Sequence, residues 1–200
     1  MRQRRIGDVA RADIADVTEE LDQLADRLHP GRNRSEVLSR LDEVFRSGKA
    51  PEPWPSGFQA GRLVAMSTWG PWDSLVQRIA GLWMPWLGKS FEGSAKSGIN
   101  YFRQTAATRW WLRLLFPGYR LPLVAGDRIE AFPFRNAVEP GALDPDMQVL
   151  KIDYDFEANP ALIRRILDEL VEVAPGRYLG KILFRLGTTY HAIGFFSLRA

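Results

Sequence analysis

The chain has 200 residues, 46% of them apolar and 26% charged, with 27 Lys and Arg against 24 Asp and Glu. A chain of this length buries roughly 70% of the surface its unfolded form exposes, so it needs no metal or disulfide staple, and its composition excludes a disordered polymer. It contains no cysteine, which excludes disulfides, zinc–thiolate centres, iron–sulfur clusters and a cysteine nucleophile.

The basic start at Met1 is interrupted by Asp8, Arg11, Asp13 and Asp16 before an apolar core of signal-peptide length develops. No run of about 18 uncharged apolar residues follows. The expectation is a cytoplasmic protein with no integral membrane segment. Residues 1–50 balance ten basic against ten acidic residues, and Phe45 is their only aromatic residue of the chain's 23. Ile6, Val9, Ile14, Val17, Leu21, Leu24 and Leu28 recur at mostly three- and four-residue steps, which predicts one helix ended by His29-Pro30-Gly31. Asn33 and Glu36 then form a capping-box pattern ahead of Val37, Leu38, Leu41, Val44 and Phe45. Residues 1–50 thus read as a helical hairpin. The prolines of Pro51-Glu-Pro-Trp-Pro55 make an extended connector to a second unit, 57–200.

Beyond residue 57 short β-rich runs alternate with turn signals. Candidate strands are Arg62–Thr68, Gly98–Gln104, Thr108–Phe116, Tyr119–Val124, Arg128–Arg135, Gln148–Phe156, Arg177–Arg185 and Thr189–Leu198. The clearest places Leu150, Ile152, Tyr154 and Phe156 between Lys151, Asp153 and Asp155, the two-residue period of a half-buried strand, with Ile152, Tyr154 and Phe156 pointing inward. Leu186-Gly187-Thr188 reads as a hairpin loop. Two inserted helices are expected, one from Asp73 and one capped by Asn159, with Pro160 in its first turn and Leu162, Ile163, Ile166, Leu167 and Leu170 buried. The fold class is therefore α+β: a helical hairpin, then an antiparallel, lipocalin-like β-barrel of seven or eight strands. Eight strands leave an interior that side chains fill or that holds one small ligand.

Chemistry is sparse. The two histidines, His29 and His191, lie far apart, with no HxH or HExxH pattern, so no metal or cofactor is expected. Gly88-Lys89-Ser90 lacks the upstream glycine of a phosphate loop, and no GxSxG elbow is present. A net charge of +3 without a basic cluster excludes nucleic acid as the expected partner. Four of the seven tryptophans fall between Trp69 and Trp86. Tryptophan is a rigid apolar plate with one N–H donor, suited to flooring a ligand site and equally to plugging a barrel end. Arg109-Trp-Trp-Leu-Arg-Leu-Leu-Phe116 is dense in aromatic residues and reads as core or as a surface bearing on a membrane or partner.

Gly61-Arg-Leu-Val-Ala65, Trp83-Met-Pro-Trp-Leu-Gly-Lys-Ser-Phe91 and Val173-Ala-Pro-Gly-Arg-Tyr-Leu-Gly-Lys-Ile-Leu-Phe-Arg185 resemble segments of small bacterial calycin-type, lipocalin-like barrels and of the related GXWXG-type domains, over roughly residues 58–200. The resemblance implies a fold and a lumen and no established activity. The expected function is binding of a small hydrophobic or amphipathic ligand, fatty-acid- or polyketide-like. Trp83 and Trp86 would line the site, and Lys89, Tyr101, Tyr154, Tyr178, Lys181 and His191 would meet its polar end. Two alternatives stand beside it. One is a metal-free isomerase, cyclase or hydratase using Asp153, Tyr154, Lys181 or His191. The other is a structural or partner-binding protein, with a homodimer as one form, docking through the helical hairpin.

Overall fold

The computed structural model describes residues 34–66, 85–93, 96–119 and 124–200. The expected helix of residues 6–28, the Asn33 cap, the helix from Asp73 and most of the Tyr119–Val124 strand lie outside them.

Helix α1, Arg34–Ser47, is followed by β1 (Gly57–Met66), β2 (Trp86–Glu92), β3 (Ser97–Arg103), helix α2 (Ala106–Leu115) and β4 (Val124–Ala125). Strands β5 (Arg128–Pro140), β6 (Gln148–Asp153), β7 (Ile166–Ala174), β8 (Arg177–Leu186) and β9 (Thr189–Arg199) complete the chain. All pairings are antiparallel, and successive strands are neighbours except β3 and β4. Because β1 also pairs β9 and β3 pairs β5, the sheet closes into an eight-stranded barrel, with two-residue β4 flanking the start of β5. Closure removes the unpaired edges an open sheet would expose.

The side-chain period of two sorts the barrel into two apolar layers. Leu150, Ile152 and Tyr154 point into the lumen with Ile129, Phe134, Leu170, Ile182 and Phe196. The carboxylates that alternate with them face outward as expected: Asp155 pairs with Arg164 at 2.7 Å and Asp153 with Arg135 at 3.8 Å. The second layer lies outside the barrel. Val37, Leu41, Val44 and Phe45 form one face of α1 and pack on Val64, Val149, Val171, Leu179 and Phe195. Large rings inside the barrel lie over residues without side chains. A Cβ on Gly61 would come within 2.3 Å of the Trp86 ring, and one on Gly180 within 2.1 Å of Phe196. Pairing large with absent side chains is how a narrow barrel fills its interior.

Three sequence expectations are corrected. Residues 108–116 form most of helix α2, where Thr105 caps the first turn by accepting from the Thr108 N–H at 3.0 Å, rather than a strand. The segment expected as a helix from Asn159 is a single 3₁₀ turn, Ile163–Arg165, leading into strand β7. Asn159 Nδ2 instead donates to the Pro133 and Tyr154 carbonyls at 2.8 Å each, fixing the loop after β6. Strand β2 was not anticipated; its Gly-Lys-Ser run lies within the sheet.

Lys181 belongs to the outer layer. Its Nζ meets Asp42 of α1 at 2.6 Å and Asp144 at 2.8 Å and lies 4.3 Å from the Phe45 ring centre, while Arg46 reaches both acids. Burial raises the Asp42 carboxyl, but Lys181 and Arg46 outweigh that and hold it below its ordinary value. A carboxyl depressed on folding stabilises above its unfolded pKa of about 3.8 and loses that contribution as pH falls through the folded value. Acid titration below about pH 4 should therefore lower Tm by an increment that Asp42→Asn removes, as read by circular dichroism.

Candidate functional site

Strand β2 carries the central cation. Trp86, Lys89 and Phe91 are all buried, although strict alternation would put Trp86 and Lys89 on opposite faces. A register shift between Trp86 and Gly88 opposite β3 reconciles them. Gly88 sits at φ +146°, and a Cβ there would lie 2.0 Å from the Gln59 carbonyl oxygen, so the bulge requires glycine. Bulges re-aim side chains, and this one turns the Lys89 ammonium into the lumen.

Inside the barrel Lys89 Nζ lies 2.9 Å from Asp168 Oδ2, with both side chains fully buried. It also donates to Asn100 Oδ1 at 3.0 Å and to the Tyr154 hydroxyl. Tyr154 in turn donates to Asp168 Oδ2 at 3.0 Å. Trp86 Nε1 donates to Asn100 Oδ1 at 3.1 Å, and Asn100 Nδ2 donates to the Phe132 carbonyl at 3.0 Å. The rings of Trp86, Phe134, Tyr154 and Phe196 surround the ammonium at 5.0–5.5 Å. One atom stands apart: Asp168 Oδ1 is buried without a hydrogen-bond partner.

Burial drives Lys89 below its ordinary value, against the opposing charge of Asp168. Burial likewise drives Asp168 up, against Lys89. In each case the partner's charge opposes the cost of burial, so each ion depends on the other for its charge. Tyr154 is raised well above the usual phenol value by burial and by the Asp168 charge, so it remains a protonated donor.

Beside this cluster lies a cavity of about 20 Å³, lined by Trp86, Asn100, Phe102, Phe132, Tyr154, Ile163 and Ile166. That is room for about one water molecule. Phe132 in its wall takes φ +55°, a conformation costly for a bulky residue that persists only where its surroundings impose it. Here its N–H donates to the Tyr119 hydroxyl at 3.0 Å, its carbonyl is held by Asn100, and its ring stacks on Tyr119. Such imposed strain clusters at ligand sites.

Of the residues singled out from sequence, the lumen brings together Trp86, Lys89 and Tyr154. Tyr178 is in the lumen layer, and among the described residues no hydrogen bond is seen between it and the Lys89 set. Tyr101 lies on the outer face, where its hydroxyl donates to Glu130 at 2.8 Å and its ring meets Phe58. Lys181 lies under α1. His191 is half-buried and borders an outer groove with Leu38, Asp42 and Phe195. A register shift between Ile182 and Leu183 opposite β9 breaks the alternation expected there, so that Ile193 faces the lumen and Phe195 the outer layer. Trp83 lies outside the described residues. Sequence reasoning missed Asn100 and Asp168. The signal for Asp168 was an acid within the apolar run Ile166-Leu-Asp-Glu-Leu-Val171.

Among the described residues no group of three or more His, Asp or Glu is placed to hold a metal ion, and no helix is long and apolar enough to cross a membrane. The chain matches no protein-family model, no curated protein and no solved structure.

Proposed function

We propose that the barrel binds a small amphipathic molecule in its lumen, with Lys89, Asp168, Tyr154 and Asn100 meeting the polar group and Trp86, Phe102, Phe132, Ile163 and Ile166 covering the apolar part. The observation that carries this is a fully buried ion pair with a spare carboxylate oxygen, in a cluster that borders an apolar cavity. Buried ion pairs seldom stabilise a fold better than apolar side chains of the same volume, so stability alone does not account for the pair. The closed antiparallel barrel is compatible with the calycin-like fold that the Gly/Trp segments resemble.

The cluster's chemistry selects the polar group. Asp168 already supplies the anion, so a second carboxylate would be repelled. A hydroxyl can instead donate to Asp168 Oδ1, and a carbonyl can accept from Tyr154 by displacing its bond to Asp168 Oδ2, since the Lys89 protons already go to Asp168, Asn100 and Tyr154. The ligand class is thus a hydroxyl- or carbonyl-bearing molecule of polyketide-like character rather than a fatty acid. Anything larger than water requires the rings and branched chains around the cavity to yield, which favours short or compact guests.

A second reading rests on the Lys89–Tyr154–Asp168 line of hydrogen bonds. Held in hydrogen-bond contact, these three groups can deliver and recover a proton at a bound carbonyl or hydroxyl, as a metal-free isomerase or hydratase requires.

Thermal unfolding with short-chain alcohols, methyl ketones and the matching carboxylates tests the binding reading. At a hundredfold excess over Kd a neutral ligand should add about 2.7 kcal/mol, or roughly 5–10 °C in Tm for a chain of this size. Carboxylates should add less. No stabilisation by any of them, together with ligand-free spectra in native mass spectrometry, would end the proposal.

A further inference from the structure

Helix α2 presents an apolar face that the barrel does not use. It buries Thr108 and Leu112 against the fold, while Trp110, Trp111 and Leu114 are 59%, 49% and 55% exposed. The two indoles touch edge to face at 5.2 Å, forming one apolar ridge. Arg109 and Arg113 flank that ridge, are exposed, and make no ion pair among the described residues. The charge pattern around it is one-sided: the sequence from Arg103 to Gly126 holds four arginines and no Asp or Glu. The acids on neighbouring segments are engaged or set apart. Asp127 sits 3.8 Å from Arg128, Glu130 accepts from Tyr101, and Glu157 borders the far side of the groove next to Leu115–Tyr119.

We infer that α2 is a peripheral docking element for an anionic lipid surface, with Trp110, Trp111 and Leu114 entering the headgroup boundary and Arg103, Arg109 and Arg113 meeting lipid phosphates. The occupant follows from two complementary features. Indole rings favour the boundary between headgroup and acyl chain, where an apolar plate and an N–H donor are both satisfied. Unpaired guanidiniums beside them favour negative charge, and a short helix with aromatic and leucine residues on one side and arginines at its flanks lies in the interface plane rather than crossing it. A protein partner would need acidic side chains facing an apolar groove; a bilayer offers charge and an apolar interior over any area. On its inner side the same helix sends Leu112 into the lumen core, beside Phe116, so docking would set the lipid surface at one end of the barrel. This inference does not depend on the lumen site.

Co-sedimentation of the full chain with vesicles provides the test. The protein should pellet with an equimolar mixture of phosphatidylcholine and phosphatidylglycerol at low salt, and only weakly with phosphatidylcholine alone or at high salt. Each arginine near the surface contributes roughly a fivefold factor, so Arg109→Glu/Arg113→Glu should weaken partition by at least about 25-fold. Trp110→Ser/Trp111→Ser should abolish it, and both variants should fold normally because the altered side chains are exposed. Two outcomes overturn the inference. One is partition that is absent, or equal for wild type and both variants. The other is a dimer of the wild type in light scattering that Trp110→Ser/Trp111→Ser dissolves, which would make a second copy the occupant.

Discussion

Lys89→Met is expected to destabilise the fold by about 3–5 kcal/mol, because it leaves the Asp168 carboxylate desolvated with no cation opposite it. Asp168 has no exposure to water, and one of its oxygens already lacks a partner. The pair variant Lys89→Met/Asp168→Leu should recover part of that loss, since apolar side chains of similar volume suit a lumen walled by Trp86, Phe134 and Phe196. Tyr154 keeps Asn100 Nδ2 as a donor at 3.3 Å, and Asn100 Oδ1 keeps Trp86 Nε1, but the Tyr154 O–H loses its acceptor on Asp168, a cost of about 1–3 kcal/mol that keeps the recovery partial. Urea unfolding of the wild type, both singles and the pair measures the coupling. The same four proteins separate structure from function. If the pair variant is stable yet no longer gains Tm from hydroxyl or carbonyl ligands, the charges exist for the ligand. If it gains as much as the wild type, the lumen cluster is not the binding site. If it is no more stable than Lys89→Met alone, the two groups are not coupled as their 2.9 Å separation requires.

The barrel was readable in sequence where each strand has one face on the lumen and one on solvent. Leu150 to Tyr154 shows this: apolar and charged residues alternate, and the structure follows. Readability failed where both faces are covered. Strand β7 is buried over six consecutive residues, Ile166–Val171, with Ile166 and Leu170 in the lumen and Val171 under α1. Leu162, Ile163, Ile166, Leu167 and Leu170 fall at helical spacing behind Asn159-Pro160, so a strand buried on both faces reads as a helix. That error hid Asp168, whose inward orientation exists only on a strand. Residues 108–116 failed in the opposite way. Their aromatic density suits a strand, but the indoles face outward from a helix, and propensity cannot foresee exposed tryptophan. Lys89 was singled out beside the tryptophans, yet its partner comes from a strand on the other side of the barrel, a contact that only closure creates.

Gly88→Ala is expected to be nearly as damaging as loss of the cation, although it adds one methyl group. Its Cβ would meet the Gln59 carbonyl oxygen at 2.0 Å and the Gly61 nitrogen at 2.9 Å, both backbone atoms of the paired strand β1 that cannot rotate away. The residue would also have to hold φ +146°, which an L side chain rarely adopts. Imposed strain of this kind costs of order 1–3 kcal/mol before the collision is counted, so a total of roughly 3 kcal/mol or more is expected in urea unfolding. The chain can escape by restoring plain alternation between Trp86 and Lys89, which would turn one of the two out of the lumen. The two costs can then be told apart. Gly118, at φ +91° with nothing within 4 Å of its Cβ position, carries the conformational penalty alone, so Gly118→Ala should destabilise by only about 1 kcal/mol and leave ligand stabilisation intact. Gly88→Ala should lose stability and ligand stabilisation together. Wild-type ligand response in a folded Gly88→Ala protein would show that the bulge does not aim Lys89.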